Sequence, residues 1–348
     1  MKRLATAAFL AFLFSIPLWV GSLYVLHVLI VTGIFTIAAM SLNLLLGYTG
    51  QLSLGHVAFF GIGAYVSSLV SLGFSVHLAP NWLVTLDPQP VWLGMLWAIG
   101  VSGVCGWALG RISFKVRGAY FVIVTISFAE VVRLVALNWD ELTQGPMALN
   151  NIPPLTVSIP GLFEFSFIGK VANYYLVLIA GIVAYVVIAR LVHSRAGRAM
   201  IALKENEPLA TSVGIEVTRY LVLSAVVSAA IAGAAGALYA QYIQIVDPNI
   251  FLFIYTVTMV IMVVIGGKGT LAGPIVGGLI FGLLPEALRS LHIGPELQWV
   301  AYGVLMIVIV SILPAGIVPA LAGWRRARGP AKAGLGEAAE VAARQIAR

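Results

Sequence analysis

The chain is dominated by long apolar runs that are separated by short polar segments. A helix needs about 20 apolar residues to cross the hydrocarbon core of a bilayer, and these runs match that length. With 9% charged residues and a mean hydropathy of +1.02, the chain cannot cover a soluble fold of its size with polar side chains. The runs fall near residues 4–20, 22–46, 51–72, 91–110, 119–138, 171–192, 219–242, 252–266, 272–288 and 296–314.

We therefore predict an all-α, polytopic membrane helix bundle of about ten spans, in which Gly-rich segments interrupt helices or form re-entrant turns. The membrane domain covers residues 1–314. The basic, Ala- and Gly-rich tail at 315–348 is predicted to be loosely ordered on the cytoplasmic side.

The basic residues are distributed unevenly among the segments between these runs. Only Arg133, Lys170 and Arg289 lie in exterior loops or the outer halves of spans, if the N-terminus is inside. The other 17 of the 20 Lys and Arg residues fall at the N-terminus or in the segments near 47–51, 111–118, 190–219, 267–271 and 315–348. Because cytoplasmic loops collect Lys and Arg, this distribution predicts that both termini are cytoplasmic. Basic residues at span ends do not form the single basic face that a nucleic-acid-binding protein presents.

The longest polar segment between two apolar runs covers residues 193–219. The stretch from Ala199 to Glu207 is rich in helix formers, Pro208 is a break, and Gly214 is a natural helix stop. This pattern predicts a short helix on the cytoplasmic membrane surface. The alternative is a basic loop that only sets the topology, and composition alone favours neither.

Two glycine clusters lie at the cytoplasmic ends of spans. The first is GYTGQLSLGHVAFFGIGAY, from Gly47 to Tyr65, and the second is IGGKGTLAGPIVGG, from Ile265 to Gly278. Non-helical backbone within a membrane is tolerated only against protein or a water-filled cavity. The polar residues favour a translocation path or gate, whereas the glycines alone are equally typical of close helix packing. The candidate residues are Gly47, Gly50, Gln51, Ser53, Gly55, His56, Gly266, Gly267, Gly269 and Thr270.

Few residues in the chain could carry chemistry. Met262 stands where a phosphate-binding loop ending at Lys268 would need its first glycine, so that motif is excluded. A single cysteine, Cys105, forms no intrachain disulfide and no thiolate metal cluster. No catalytic constellation or metal-ligand spacing is present, and we predict that the chain is not an enzyme.

Two acidic residues fall inside spans, each three residues before an arginine. Glu130 precedes Arg133 on one helix face, well beyond the midplane toward the exterior, and Glu286 precedes Arg289. Each pair is either functional or satisfied by itself near the outer interface. An unpaired acid or histidine near the midplane, which a proton-coupled carrier would use, is not obvious.

Two exterior segments, 73–90 and 139–170, are long and contain prolines and aromatic residues such as Trp139. These features favour a docking or gating surface over a flexible linker. The seventh run is crowded with alanine and glycine between Ala229 and Ala237, which predicts close helix packing within the chain or against a second subunit.

Three strings resemble a known family. GYTGQLSLGHVAFFGIGAY, SRAGRAMIALKENEPLATSVGI and IGGKGTLAGPIVGG occur in this order within residues 40–314 and are similar to the permeases of branched-chain amino-acid ABC importers, the LivM type. The resemblance implies a non-catalytic subunit of the bacterial cytoplasmic membrane that pairs with a sister permease and binds no cofactor itself. Two cytoplasmic ATPases, which use ATP and Mg, would drive transport, and an external binding protein would deliver the substrate.

The resemblance also assigns roles to particular residues. Residues 195–214 match the loop whose short helix seats in the ATPase, and the matching positions are Gly197, Arg198, Glu205, Asn206, Glu207, Ala210 and Gly214. The candidate contacts with the binding protein are Thr143, Gly145 and Pro146 in the segment 139–170.

Two departures from the family leave the substrate open. The exterior string at 143–149 reads TQGPMAL where relatives commonly have TGGxxGL, and Ala272 stands where an aromatic residue is frequent. Branched-chain or other hydrophobic amino acids are the first expectation, and urea or short amides, which related permeases handle, are the alternative. A self-contained ion-coupled carrier is the competing class, and the segment 193–219 favours the importer.

Overall fold

The computed structural model describes residues 2–79, 82–114, 118–159 and 163–290, together with parts of 297–327. Most of this part of the chain is helical. The helices are α1 (Lys2–Trp19), α2 (Leu23–Asn43), α3 (Val57–Leu72), α4 (Val91–Ser113), α5 (Ala119–Asn138), α6 (Asp140–Thr143), α7 (Lys170–His193), α8 (Arg195–Glu205), α9 (Glu207–Ser212), α10 (Val217–Ile243), α11 (Phe253–Gly266), α12 (Gly273–Ser290) and α13 (Ile317–Ala327). A π-helical turn, Leu44–Thr49, extends α2, and 3₁₀ turns occur at Gly145–Met147 and Pro248–Phe251.

The helices agree with the predicted membrane-embedded bundle. Five segments in the described part of the chain are long and apolar enough to cross a bilayer: Leu23–Thr49, Val91–Ser113, Ala119–Asn138, Lys170–His193 and Val217–Ile243. Val57–Leu72, Phe253–Gly266 and Gly273–Leu284 are shorter apolar helices. The predicted run at 296–314 lies partly outside the described residues, and the count of ten spans stays a prediction.

The centre of the bundle is formed by α3, α4 and α10, which pack backbone against backbone. Gly63 of α3 lies against the backbone of Gly233 in α10, and Gly236 lies against the carbonyl of Phe60. Gly106 of α4 approaches the backbone of Ala225 in the same way. The small-residue face of the seventh run is therefore used inside the chain, where close contact gains dispersion energy.

The prediction of an all-α chain is wrong for the two exterior segments, each of which contains a β-hairpin. Strands β1 (Phe74–Ala79) and β2 (Trp82–Leu86) pair antiparallel, as do β3 (Thr156–Ile159) and β4 (Phe163–Ser166). The sequences of β1, β3 and β4 alternate apolar and polar residues, which is the period of a strand, whereas β2 is mostly apolar. The neighbouring prolines made the same stretches typical of loops.

The tail predicted to be loosely ordered at 315–348 begins with an ordered helix, α13. Gly316, which has a positive φ of 86°, brings the chain against the backbone of Gly267, and Pro319 of α13 lies against the same glycine. These contacts with the α11–α12 turn explain why the first part of the tail is helical. Residues 328–348 lie outside the described part of the chain.

Segments predicted to lie on the same side of the membrane contact one another. The π-helical turn at 44–49, the turn between α11 and α12, and α8 meet at one end of the bundle. At the other end, β1 contacts α6 through His77 and Glu141, and Leu149 pairs with Val246. The two ends therefore separate the segments as the basic residues predicted, while the side that faces the cytoplasm stays a prediction.

Candidate coupling and translocation site

The predicted short helix in the segment 193–219 is present as α8, and it starts four residues earlier than its helix-forming core suggested, while its cytoplasmic location stays a prediction. The chain leaves α7 at Ser194, whose hydroxyl oxygen accepts a hydrogen bond from the backbone N–H of Gly197 at 3.3 Å and so caps α8. A side chain at Gly197 would overlap the carbonyl groups of Leu191 and Val192, so glycine allows α8 to begin directly against the end of α7. Arg198 donates to the carbonyl of His193 at 3.3 Å and fixes the same corner.

The break in this segment falls at Asn206, two residues before the predicted Pro208. The side-chain oxygen of Asn206 accepts from the N–H of Leu209 at 3.0 Å, which ends α8 and caps α9. Pro208 is accommodated in the first turn of α9, where its missing N–H costs nothing.

Gly214 ends α9, as the sequence predicted. Its φ is +86°, its N–H donates to the carbonyl of Thr211 at 3.0 Å, and the N–H of Ile215 donates to Ala210 at 3.1 Å. This pair of hydrogen bonds is the Schellman arrangement, which requires a left-handed residue at the position of Gly214. Ala210 is buried at 4% exposure and anchors the last turn.

The pair α8–α9 presents two different faces. Met200 and Leu203 are buried against the bundle, whereas Arg195, Arg198 and Glu205 are exposed. Apolar side chains are exposed as well: Leu209 at 63% and Val213 at 71%. Exposed apolar residues that are rimmed by charges are typical of a protein-binding surface.

Lys204 connects α8 to the first glycine cluster. Its ammonium group donates to the carbonyl of Gly47 at 2.9 Å, within the π-helical turn, and its stem lies beside Gly50. A π-helical turn leaves backbone carbonyls without helical partners, and a lysine satisfies one of them here. The sequence did not single out Lys204, because nothing in its pattern distinguishes this lysine from the other basic residues of the segment 193–219.

Asn43 connects the two glycine clusters to each other. Its amide nitrogen donates to the carbonyl of Thr270 at 2.9 Å, and its amide oxygen accepts from the N–H of Gly269 at 2.9 Å. The side chain is 2% exposed, and it bridges residues that are more than 220 positions apart in the sequence. A lone amide in the apolar run 22–46 was the signal that could have identified it.

The remaining residues of the second cluster form a tight turn. Gly267 has a φ of +118° and Gly269 of +75°, and the Thr270 hydroxyl donates to the carbonyl of Gly267 at 2.8 Å and accepts from the N–H of Gly273 at 3.0 Å. Gly266 is buried against the backbone of Gly273. The turn is therefore closed by Thr270 and is held to the first cluster by Asn43.

The polar residues of the first cluster are mostly enclosed by the chain itself. Ser53 and His56 are at most 1% exposed, and His56 Nε2 lies 2.8 Å from the hydroxyl of Ser41. Gly55 is packed against the backbone carbonyl of Thr125 in α5. Gln51 is partly exposed and Gly50 is exposed at the end of the bundle. The two clusters thus meet in one place, where Ser53, His56 and Asn43 are enclosed by the chain itself.

The exterior candidates form a strained turn. Thr143 is buried, and its hydroxyl donates to the carbonyls of Ala136 and Trp139 at 2.6 and 2.8 Å. Gly145 is buried with a φ of +49°, whereas Pro146 is exposed beside Met147. Thr143 and Gly145 therefore shape the turn, and Pro146 and Met147 form its outer surface.

A hydrogen-bonded pair attaches the first hairpin beside this turn. His77 Nδ1 and Glu141 Oε1 are 2.5 Å apart, and the backbone N–H of His77 donates to the same oxygen at 3.0 Å. The imidazole, with a smaller contribution from the backbone N–H, holds the pKa of the Glu141 carboxyl below its usual value of 4.5.

Glu130 and Arg133 form an ion pair on α5, as their spacing predicted. The side chains of Glu286 and Arg289 lie outside the described residues.

These features define the class of the chain as a polytopic membrane protein: apolar helices with interrupted segments, joined at one end to an exposed helix pair. A family model described as the permease component of the branched-chain amino acid transport system matches residues 24–310. Because this match covers most of the chain, the protein belongs to that family.

Individual relatives agree with this assignment. The chain is 31% identical to the high-affinity branched-chain amino acid transport system permease protein LivM of Salmonella typhimurium, covering 83% of this chain and 68% of the relative. It is 28% identical to the permease protein LivH of the same organism, covering 82% and 91%. The probable permease protein LivM of Methanocaldococcus jannaschii is 26% identical, with 82% and 91% covered. No solved structure matches the chain.

Proposed function

We propose that this chain is a transmembrane permease subunit of an ATP-driven importer of branched-chain or other hydrophobic amino acids. It forms the pore with a sister permease, two cytoplasmic ATPases bind at α8–α9, and an external binding protein delivers the substrate. The similarity to both LivM and LivH supports a pore built from two related chains. The names of these relatives favour amino acids over urea or short amides.

The observation that carries the proposal is the connection from α8–α9 into the bundle. Exposed Leu209 and Val213 offer an ATPase an apolar surface, and Lys204 of α8 is bonded to the interrupted end of α2. Asn43 joins the same end of α2 to the turn between α11 and α12. A movement of α8 would therefore be transmitted to both glycine clusters, as a coupling element requires.

Gly214→Leu tests whether α8–α9 is such an element. A side chain at Gly214 meets no atom within 4 Å, so the cost is the left-handed backbone, about 1–2 kcal/mol. We expect α9 to lose its end, ATPase binding to weaken, and uptake to fall roughly 5- to 30-fold, the equivalent of that energy. A pull-down of the ATPases and an uptake assay in membranes with equal permease levels measure both effects.

Gly118→Leu is the matched control for this substitution. Gly118 also has a positive φ, +60°, and also has no atom within 4 Å of an added side chain, but it lies between α4 and α5. We expect this variant to retain ATPase binding. If Gly214→Leu retains full ATPase binding and full uptake, residues 193–219 only set the topology, and the ion-coupled carrier becomes the better explanation.

A further inference from the structure

The Glu130–Arg133 ion pair lies within the span α5, whose bounds match those of the predicted run 119–138. Arg133 Nε donates to both carboxylate oxygens of Glu130 at 3.1 and 3.0 Å, and Nη2 donates to Oε1 at 2.6 Å. Glu130 is about 16 Å along α5 from Ala119, in a helix of 20 residues. Glu130 is therefore just past the midpoint of a helix long enough to cross the membrane, and Arg133 lies three residues nearer its C-terminal end.

The rest of the described chain leaves this ion pair uncovered. The side chains of Glu130 and Arg133 are 51% and 23% exposed, and only 22% of the most apolar part of α5 is buried. Charged side chains within spans face a bundle interior or a water-filled cavity, because hydrocarbon does not solvate them. This face of α5 is therefore directed toward water or another subunit, and not toward lipid.

An apolar crevice adjoins the carboxylate. The crevice is narrow, with a cavity volume of about 30 Å³, and it is lined by Ile126 and Glu130 of α5, Leu54 and Val57 at the start of α3, and Phe251 and Phe253 beside α11. Leu54 belongs to the first glycine cluster, whose Gly55 packs directly against the backbone of α5. The crevice thus joins the ion pair to the segment that we predicted to form the path.

We propose that Glu130 and Arg133 bind the charged ends of a zwitterionic amino acid on this path, while the apolar side chains around the crevice contact its aliphatic side chain. The Glu130 carboxylate accepts the substrate ammonium group, and the Arg133 guanidinium group donates to the substrate carboxylate. The site rests on the proposed function, since the sister permease encloses its open side.

The ion pair suits a transient site for this class of substrate. A lone charge in a span would be costly, but here each partner keeps an opposite charge nearby whether or not a substrate is bound. When the pair opens onto a zwitterion, two new pairs replace one and the net charge does not change. Urea and short amides carry neither charge, so they could not form the two ion pairs that would replace the bond between Glu130 and Arg133.

The first test separates binding from structural support by removing both charges together. Glu130→Gln, Arg133→Gln and the double variant are assembled with the sister permease, ATPases and binding protein in proteoliposomes. Removing both members of a structural ion pair often changes stability very little. Removing two groups that contact the substrate is expected to weaken its binding. We therefore expect all three variants to lower leucine uptake at least about tenfold, with retained assembly and retained ATP hydrolysis stimulated by the binding protein.

Glu337→Gln is the matched control, because it replaces a carboxylate of the same chain that lies outside the family match at residues 24–310 and is expected to leave uptake unchanged. Wild-type leucine uptake in the double variant would overturn the proposed site. If the wild-type assembly itself shows no leucine uptake that depends on the binding protein, the proposed function fails. The labelling experiment below then still decides whether water reaches this face of α5.

The second test measures water at the crevice without measuring transport. In a Cys105→Ser background, Ile126→Cys is placed in the crevice, and Val183→Cys on the exposed face of α7 serves as the apolar control. We expect a small, charged thiol reagent to label position 126 of the assembled importer and not position 183. A cysteine at 126 that stays unlabelled, both at rest and during ATP hydrolysis, would overturn the proposal even if every Gln variant failed to assemble.

Discussion

At the scale of single residues, the fold depends on polar side chains that satisfy the backbone where helices are interrupted. Asn43 and Lys204 each bind backbone groups of a glycine cluster, and Thr270 closes the second cluster internally. A buried polar group left unpaired costs about 1–3 kcal/mol, so these contacts fix one arrangement of the turns. The exterior end has an equivalent contact in His77 and Glu141.

The His77–Glu141 contact predicts a pH dependence of the exterior end. Because the pKa of Glu141 is lowered in the folded chain, its stabilising contribution is complete above pH 4.5 and is lost as the pH falls through the lowered value. We expect β1–β2 to detach from α6 on acidification below that range, and His77→Ala to return the Glu141 pKa toward 4.5. Carbon-13 NMR of labelled glutamate in nanodiscs measures the titration, and Ser75→Ala on the same strand is the control. An unchanged Glu141 titration in His77→Ala would show that the imidazole is not the cause.

At the scale of elements, the interrupted helices and the surface helix act as one connected unit. The end of α2, the α11–α12 turn and α8 are held together by side-chain bonds to backbone, while α3, α4 and α10 form a tightly packed centre beside them. α8 is thus bonded to the parts of the bundle whose backbone is irregular.

Lys204→Met tests this connection separately from ATPase binding. Methionine keeps the apolar stem beside Gly50 but cannot donate to Gly47, whose carbonyl would lose a charge-assisted bond worth about 1.5–3 kcal/mol. We expect the ATPases to bind and to hydrolyse ATP, but with several-fold less substrate transported per ATP. Lys204→Arg, which keeps a donor, is expected to retain most of the coupling. Equal transport per ATP in the wild type and Lys204→Met would exclude a role for this bond in coupling.

The elements also show how much of the fold could be predicted from the sequence alone. Hydropathy placed α2, α4, α5, α7 and α10 close to their observed bounds, because the length of an apolar run directly limits a span. Gly214 was predictable as a helix end, since a left-handed turn favours glycine. The hairpins were not predicted, because the neighbouring prolines made these short stretches typical of loops. The roles of Asn43 and Lys204 were not predicted either, because their hydrogen-bond partners lie far away in the chain.

At the scale of the whole molecule, segments from distant parts of the sequence gather at two ends of one bundle. The hairpins, α6 and the 145–147 turn occupy one end, and the glycine clusters with α8 and α9 occupy the other. The 17 basic residues outside the exterior segments predict that the second end faces the cytoplasm.

This orientation is tested by labelling two strongly exposed positions. Met147 and Val213 are 81% and 71% exposed at opposite ends, and each is replaced by cysteine in a Cys105→Ser background. We expect a membrane-impermeant maleimide to label position 147 in intact cells, and to label position 213 only in opened membranes that are stripped of peripheral proteins. Labelling of position 213 from outside would reverse the proposed topology.

The bridge made by Asn43 also constrains the order in which the protein can be assembled. Ribosomes release Asn43 long before residues 269 and 270 exist, so the amide has no native partner while the first helices enter the membrane. During that time the end of α2 is available to whatever insertion machinery accompanies the nascent chain. This end of the bundle can therefore reach its final arrangement only after α11 and α12 have been synthesised. The folding of the N-terminal part is then completed by contacts from the C-terminal third of the protein.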